Sequence, residues 1–451
     1  MRGWWRETAG GLPSTYWYLW AGLLINRLGG FAVLFLSLYL TAQRGANPAL
    51  AGLVVGTYGI GGVIGTLAGG VLTDRWGRRR TLVWSHLACA IVLTALALTP
   101  GLAVIAVLCA LLGLAQSMPG PAFVAAIIDL VPASRRSRAF NLEFWAFNLG
   151  TAGASLLAGL LAEWSYVALF LLDGASSLIA ALVIVAKVPE TLPDAHRPAA
   201  TSTETATAGT ATAETATAGT ATAGTATAGT ATAGTATAGT SPGGTSPGGG
   251  LRTVLSDRIF LAFAGLTLLQ ALVYTQIGTI VPLAMRDDGL SAAAYGSVVA
   301  LSGALIVIGQ LFVPRVIDGH RKDRVLAAAQ AATAIGFAVL IFADRVPAYL
   351  AAAVIWTVGS MLAAPPNAEI NSELAPPLLR GRYQAVFYLT FPAASFLAPS
   401  LGGAGLQYLG RWHWLVVAAI ALVAAGLHLA AGPSRERHVA EIRHETATVT
   451  H

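Results

Sequence analysis

Hydrophobic and polar positions fall along this chain in long blocks. Apolar runs of about 20 residues, the length an α-helix needs to cross ~30 Å of hydrocarbon, occupy 16–42, 49–73, 81–99, 102–128, 140–162, 165–187, 259–284, 292–314, 325–343, 347–370, 382–407 and 412–431. Lipid offers no partner for a backbone N–H or C=O, so each run predicts a helix that satisfies its own peptide groups. Twelve membrane-spanning helices follow. Glycine and proline interrupt several runs, which neighbouring helices in a bundle accommodate. Composition agrees: 55% hydrophobic and only 11% charged residues over 451 positions, with mean hydropathy +0.67, exclude a soluble globule. The expected fold class is an all-α membrane protein.

One stretch breaks the rhythm. Residues 205–249 are nine pentads, seven of the form Thr-Ala-Thr-Ala-Gly/Glu and two of Thr-Ser-Pro-Gly-Gly. Without a large apolar side chain the tract cannot build a core, so it reads as a disordered spacer whose ends wander over ~40 Å. Its other reading, a binding tract for a cytosolic partner, has only length to be recognised by. The spacer divides the chain into a six-helix half at 1–190, a cytoplasmic linker at 191–256, and a six-helix half with a short tail at 257–451.

The net charge of +6 could suggest nucleic acid, but the placement of the basic residues argues against it. With both termini cytoplasmic, 22 of 27 lysines and arginines fall in inside segments and four, Arg44, Arg286, Arg345 and Arg411, in outside loops. This positive-inside bias orients every helix. The start MRGWWRET has no small-residue cleavage site after a short apolar core, so the first helix is expected to be a retained span. Cys89 and Cys109 both lie within spans and imply neither a disulfide framework nor a metal site.

Charges that do occur are concentrated in Gly70-Val-Leu-Thr-Asp74-Arg75-Trp-Gly77-Arg78-Arg79-Arg80, a polar tip between two apolar runs. Sliding the second half over the first by 244 residues places Asp74 on Asp318, Arg80 on Arg324, Pro121 on Pro365, Pro132 on Pro376 and Arg138 on Arg382. Arg78 falls on Lys322 and Asp129 on Glu373, so an Arg/Asp pair in one half becomes a Lys/Glu pair in the other. Both members change while the signs persist, as a contact between the helix 2–3 loop and the end of helix 4 would require. Two six-helix halves repeated in parallel characterise one class of secondary transporter.

At this point the chain resembles the major facilitator superfamily. Gly70, Asp74, Arg75, Gly77, Arg78 and Arg79 match that family's loop 2–3 motif, Gly-x-x-x-Asp-Arg/Lys-x-Gly-Arg-Arg/Lys, and the twelve-helix layout covers the whole chain. The resemblance implies a conformational gate: Asp74 facing the start of helix 11 near Gly381 and Arg382, where a positive dipole end favours an anion, and Arg78 facing Asp129. Asp318, Lys322 and Glu373 would be their counterparts. Within the superfamily, Asn26-Arg27-Leu-Gly-Gly, Phe170-Leu-Leu-Asp173-Gly and Pro189-Glu190-Thr191 are similar to phrases of twelve-helix drug/proton antiporters. The chain departs from that group in helix 4, where no Arg precedes Gln116 by three residues. It also departs in helix 5, where Gly150-Thr-Ala-Gly153-Ala-Ser155 lacks a Gly-Pro step.

An ionisable residue within a span is costly and usually functional. Arg27 lies about ten residues, ~15 Å, from the cytoplasmic end of helix 1, and Asp173 about eight residues, ~12 Å, from the outer end of helix 6. Their depths agree, which predicts a membrane-embedded pair, either a structural ion pair or one with a protonatable switch at Asp173. Glu143, Glu369 and Glu373 sit nearer helix ends and read as loop anchors, with proton carriers as the alternative, and His86 and His428 read as packing or interfacial residues.

Helices 1, 4, 7 and 10 line the substrate path in the family, which nominates Asn26, Phe31, Phe35, Gln116, Met118, Gln270, Tyr274, Gln276, Trp356 and Met361. Rich in aromatic rings and amides and poor in fixed charge, this set suits an amphipathic organic molecule. The sequence carries no Ser/His/Asp set, His-Glu-x-x-His or phosphate-cradling glycine loop, so an enzyme is not expected. The expectation is a monomeric secondary transporter of the cell membrane working by alternating access, exporting a small organic compound. It needs no cofactor beyond a proton gradient and no partner beyond substrate and lipid; nutrient import, or a sensor or scaffold role, is the alternative.

Overall fold

The computed structural model describes residues 11–30, 32–192, 251–309, 312–376 and 379–449. Phe31, the repeats at 205–249 and most of the 191–256 linker lie outside the described residues. Among the described residues the regular structure is wholly helical, in twelve rods. The first half comprises α1 (Ser14–Leu28 continuing as Ala32–Gln43), α2 (Pro48–Trp76), α3 (Arg78–Leu98), α4 (Leu102–Ser117 and Pro119–Leu130), α5 (Arg136–Trp164) and α6 (Tyr166–Lys187). The second comprises α7 (Arg258–Thr279 and Val281–Asp287), α8 (Ala292–Gly309 and Val313–Ile317), α9 (Lys322–Val339), α10 (Val346–Glu373), α11 (Arg380–Leu409) and α12 (His413–Val449).

The repeat is stricter than two loops revealed. α7 to α11 each begin 244 residues after α1 to α5, at Arg258 against Ser14, Ala292 against Pro48, Lys322 against Arg78, Val346 against Leu102 and Arg380 against Arg136. Large apolar side chains such as Leu53, Ile64, Leu67, Trp84, Ile91 and Leu422 point outward and exposed along the rods, a surface that only lipid can cover. Beyond the breaks in α4, α7 and α8, two further features differ from the sequence expectation. α1 is two pieces, because Gly29 and Gly30 end the first, and a Cβ on Gly29 would lie 2.0 Å from Ser176 Oγ. α12 does not stop near 431 but continues to Val449, its extension tied back by Arg435 donating to the His428 carbonyl at 2.9 Å.

Packing distinguishes the two ends of the bundle, here called basic for the end bearing the Arg-rich loops and far for the other. At the basic end each half has its own core. Tyr16, Leu19, Leu82, Phe123 and Ile184 form one, and Phe260, Phe263, Leu326, Ile370 and Phe387 the other. Toward the far end a single core runs through both halves, from Phe35 and Tyr39 to Tyr295 and Trp356.

Glycines form the seam that joins the halves. A Cβ on Gly52 would lie 2.0 Å from the Pro399 carbonyl oxygen, one on Gly59 2.4 Å from Phe396 N, and one on Gly296 2.4 Å from the Ser155 carbonyl oxygen. Only glycine lets α2 approach α11, and α5 approach α8, this closely. Ala49 N–H to Gln407 Oε1 (3.1 Å) and Ala293 N–H to Glu163 Oε1 (3.2 Å) add cross-half hydrogen bonds there. The close approach fades along α2: Gly70, about three turns beyond Gly59, has open space where a Cβ would stand.

Candidate functional site

Between α2 and α3 the chain reverses at Gly77, whose φ of 100° is one that L side chains rarely adopt. A Cβ there would also lie 2.4 Å from the Glu190 carboxylate. That carboxylate, just beyond α6, accepts from Arg78 N–H (2.8 Å), Arg79 N–H (3.4 Å) and Arg80 N–H (3.4 Å). It thereby satisfies the opening amides of α3, which have no intrahelical acceptor, and a negative charge at a helix N-terminus is favourable in its own right. Arg78 Nε donates to Asp129 Oδ2 at 3.0 Å and Arg78 Nη1 to the Thr73 carbonyl at 3.3 Å. Thr191 Oγ1 closes the ring on Asp129 at 3.0 Å, and the Arg79 guanidinium donates to the Val185 carbonyl. The loop therefore locks α2, α3, α4 and α6 into one body.

Its repeat counterpart is simpler. Lys322 Nζ lies 2.8 Å from Glu373 and 2.9 Å from Glu369, so both sequence-read pairs, Arg78 with Asp129 and Lys322 with Glu373, are brought together. Asp74 and Arg75 are exposed, as are Asp318 and Arg382, and Asp74 makes no ion pair with a described residue. No hydrogen bond or ion pair joins Asp74 to the start of α11 among the described residues, and each half keeps its own core at the basic end.

Inside the first half, α1, α3, α4, α5 and α6 enclose a pocket of ≈ 80 Å³. It runs from Leu19 and Ile184, near the basic end, to Val33, Cys89 and Asp173 at mid-depth. Arg27 and Asp173 both line it, as do Asn26, His86, Gln116, Glu143 and Phe147. The Arg27 guanidinium sits over the Phe147 ring, 4.5 Å from its centroid. Asp173 Oδ2 accepts from Ala32 N–H at 2.9 Å, capping the second piece of α1 at the break. Asn26 donates to Ser177 Oγ at 3.0 Å, and Gln116 accepts from the Tyr58 hydroxyl at 2.9 Å. Glu143, read from sequence as a loop anchor, instead turns into this pocket, one of two carboxylates there.

The other sequence-nominated cavity residues are distributed differently. Phe35 is fully buried against Tyr295. Tyr274 bonds Thr333 at 2.9 Å, Gln276 donates to the Ala398 carbonyl at 3.2 Å, and Trp356 stacks near Phe337. These four bridge helices in this conformation and lie outside the pocket of the first half, since ring area and amide hydrogen bonds serve packing equally well. Gln270 is likewise buried, accepting from Asn367 at 2.8 Å. Met118 sits at the break in α4, its backbone against Gly69, and Met361 fills the space beside Gly309.

The family model for the Major Facilitator Superfamily matches residues 19–318 and again 259–450. The chain belongs to the major facilitator superfamily. Among superfamily relatives, the uncharacterised transporter YhjO of Bacillus subtilis is 24% identical over 90% of this chain and 90% of its own length. YqjV of the same organism is 31% identical, but over 31% of this chain and 35% of that protein. The crystal structure of the nucleoside transporter NupG aligns with a TM-score of 0.70 at 14% identity, covering 93% of this chain and 99% of that one, which shows a common fold. This protein is therefore a multi-pass membrane transporter of that fold. Sequence reasoning missed two residues that geometry brings forward. Glu190 lay in a recognised phrase without a role, and Glu143 was judged by its distance from the helix end, when the relevant signal was its helical face.

Proposed function

We propose that this protein is a secondary active transporter that exports a small amphipathic organic compound in exchange for protons by alternating access between two helical halves. It would reside in the plasma membrane with both termini cytoplasmic, as the charge bias requires, and act as a monomer. The observation that carries the reading is the asymmetry between the ends. A glycine seam and a shared core hold the far end shut, while each half keeps a separate core at the basic end. With the basic end in the cytoplasm this is an inward-facing conformation.

The gate pairs then have a clear function. Arg78 with Asp129, and Lys322 with Glu373, keep each half rigid as it rocks, while the exposed Asp74 would face the start of α11 when the basic end closes. Exchange for protons draws support from the full-length likeness to a Na(+), Li(+), K(+)/H(+) antiporter of Planococcus maritimus, 22% identical over 88% of this chain and 90% of that one.

A second reading, import of a small aromatic acid, is favoured by Arg27 standing over Phe147 in the pocket. It is also favoured by the partial likeness to the 4-hydroxybenzoate transporter PcaK of Pseudomonas aeruginosa, 29% identical over 37% of this chain and 38% of that one. Proteoliposomes separate the two. Amphipathic amines, neutral aromatics and 4-hydroxybenzoate are presented with and without an imposed pH gradient. Export predicts that acidifying the far-side compartment drives a compound from the basic side to the far side. Gradient-independent uptake of 4-hydroxybenzoate toward the basic side would overturn it.

A further inference from the structure

We infer that the pocket of the first half is the proton-binding site of this protein, with Glu143 as its titrating group and Arg27 as the counter-charge that protonation releases. The inference names a residue for the exchange reading above and rests on that reading for its consequence, though not for its geometry.

The strict repeat supplies the first argument. In the first half Arg27, Glu143 and Asp173 line one pocket. The positions 244 residues later are Ala271, Phe387 and Val417, and His86 is matched by Gln330. The second half has the same scaffold but no charge at any of these places. There a neutral amide pair, Asn367 donating to Gln270 at 2.8 Å, occupies the corresponding depth. Charge in a span usually has a function, and among the described residues this Arg/Glu/Asp cluster belongs to the first half, whereas the buried titratable groups of α12 are His413, beside Gln276, and His428, beside Arg435.

The two carboxylates of the pocket differ in what holds them. Asp173 is 1% exposed and caps the broken helix through Ala32 N–H. Protonating it would weaken an acceptor that α1 needs. Glu143 is 8% exposed and forms no hydrogen bond or ion pair with a described residue, although the cavity it faces has space for several waters at about 10–15 Å³ each. It lies seven residues from the start of α5, ~10 Å from the basic end.

The groups facing it are Arg27 from α1, His86 and Cys89 from α3, and Asp173 from α6, with Tyr58 of α2 behind Gln116. On the other side of α5, α8 presents no charged side chain between Ala292 and Gly309.

The step balances simply. In the conformation open at the far side, a hydronium gives its proton to the Glu143 carboxylate, forming an O–H bond and releasing water. With His86 neutral, the pocket then goes from one net negative charge, Arg27 against Glu143 and Asp173, to none. A neutral cluster can be enclosed between closing helices at far smaller desolvation cost than an ionised one. Protonation of Glu143 from the far side is therefore the condition under which the far end can shut again, and loss of that proton at the basic end completes the exchange.

Infrared difference spectra of the detergent-solubilised full chain, taken between acidic and alkaline buffer, read the carboxylic-acid C=O stretch directly. Glu143→Gln is expected to remove one band that Asp173→Asn and His86→Gln leave in place, and Glu143→Asp to retain it at a shifted frequency. A wild-type band surviving in Glu143→Gln, or abolished by Asp173→Asn, overturns the assignment. Should Glu143→Gln fail to fold, the Asp variant decides: an unshifted band refutes the site. If the band belongs to Glu143 but transport in proteoliposomes ignores a pH gradient, the exchange reading fails while the proton site stands.

Discussion

Gly52→Ala tests whether the seam between α2 and α11 sets the balance between conformations. The added methyl carbon would stand 2.0 Å from the Pro399 carbonyl oxygen, where ordinary contact begins at 3.4 Å, so the two helices must separate by the difference of 1.4 Å. The obstructing atom is backbone on an internal turn of α11 and cannot swing away. Overpacking of this kind costs about 1–3 kcal/mol, a factor of roughly 5–150 in an equilibrium at 1.36 kcal/mol per tenfold. That cost falls only on the conformation in which the far end is shut, because the seam parts when it opens.

The prediction is a population shift without global destabilisation. Spin labels at Arg80 and Arg324, both exposed at the basic end and 244 residues apart in the repeat, report the separation of the halves. Gly52→Ala should move the distance distribution toward the shorter, closed-basic-end component. Gly113→Ala provides the contrast, since its Cβ would meet the Tyr58 carbonyl oxygen at 2.0 Å inside one half. It should lower thermal stability and leave the distribution unmoved. A Gly52→Ala protein with the wild-type distance distribution would refute the reasoning, because the seam would then not be a state-dependent contact.

Two further outcomes follow from the loop cluster. Arg78→Asp should impair transport and stability, and adding Asp129→Arg should recover part of both, with a coupling of about 0.5–3 kcal/mol for a contacting pair; double-mutant thermal melts and uptake rates check it, and additive losses would exclude the contact. Glu190→Ala should cost about 1 kcal/mol, as expected for losing a helix cap, and loosen α3 from α6, read as faster amide exchange at Arg78–Thr81; unchanged exchange would leave Glu190 without its capping role.

What the sequence made legible was whatever periodicity and sign could encode. Twelve apolar blocks gave twelve rods. The ungapped offset of 244 foretold the paired contacts of Arg78 with Asp129 and Lys322 with Glu373, because two residues that change identity together while keeping opposite charge are constrained by contact. Depth along a helix was legible from counting, which is why Arg27 and Asp173 were placed together before any coordinates. Azimuth was not. Counting residues puts Glu143 near a helix end, but only the packing of α5 against α1 and α8 decides that its side chain turns into the bundle. The same limit holds for Phe35, Tyr274, Gln276 and Trp356, since a buried ring or amide has one composition whether it faces a neighbour or a ligand. Where the repeat is broken, the sequence had already recorded the functional difference between halves. Arg27, Glu143 and Asp173 stand opposite Ala271, Phe387 and Val417, so the scaffold is symmetric and its chemistry is not. A carrier built this way can rock on matched halves while sensing protons with one of them.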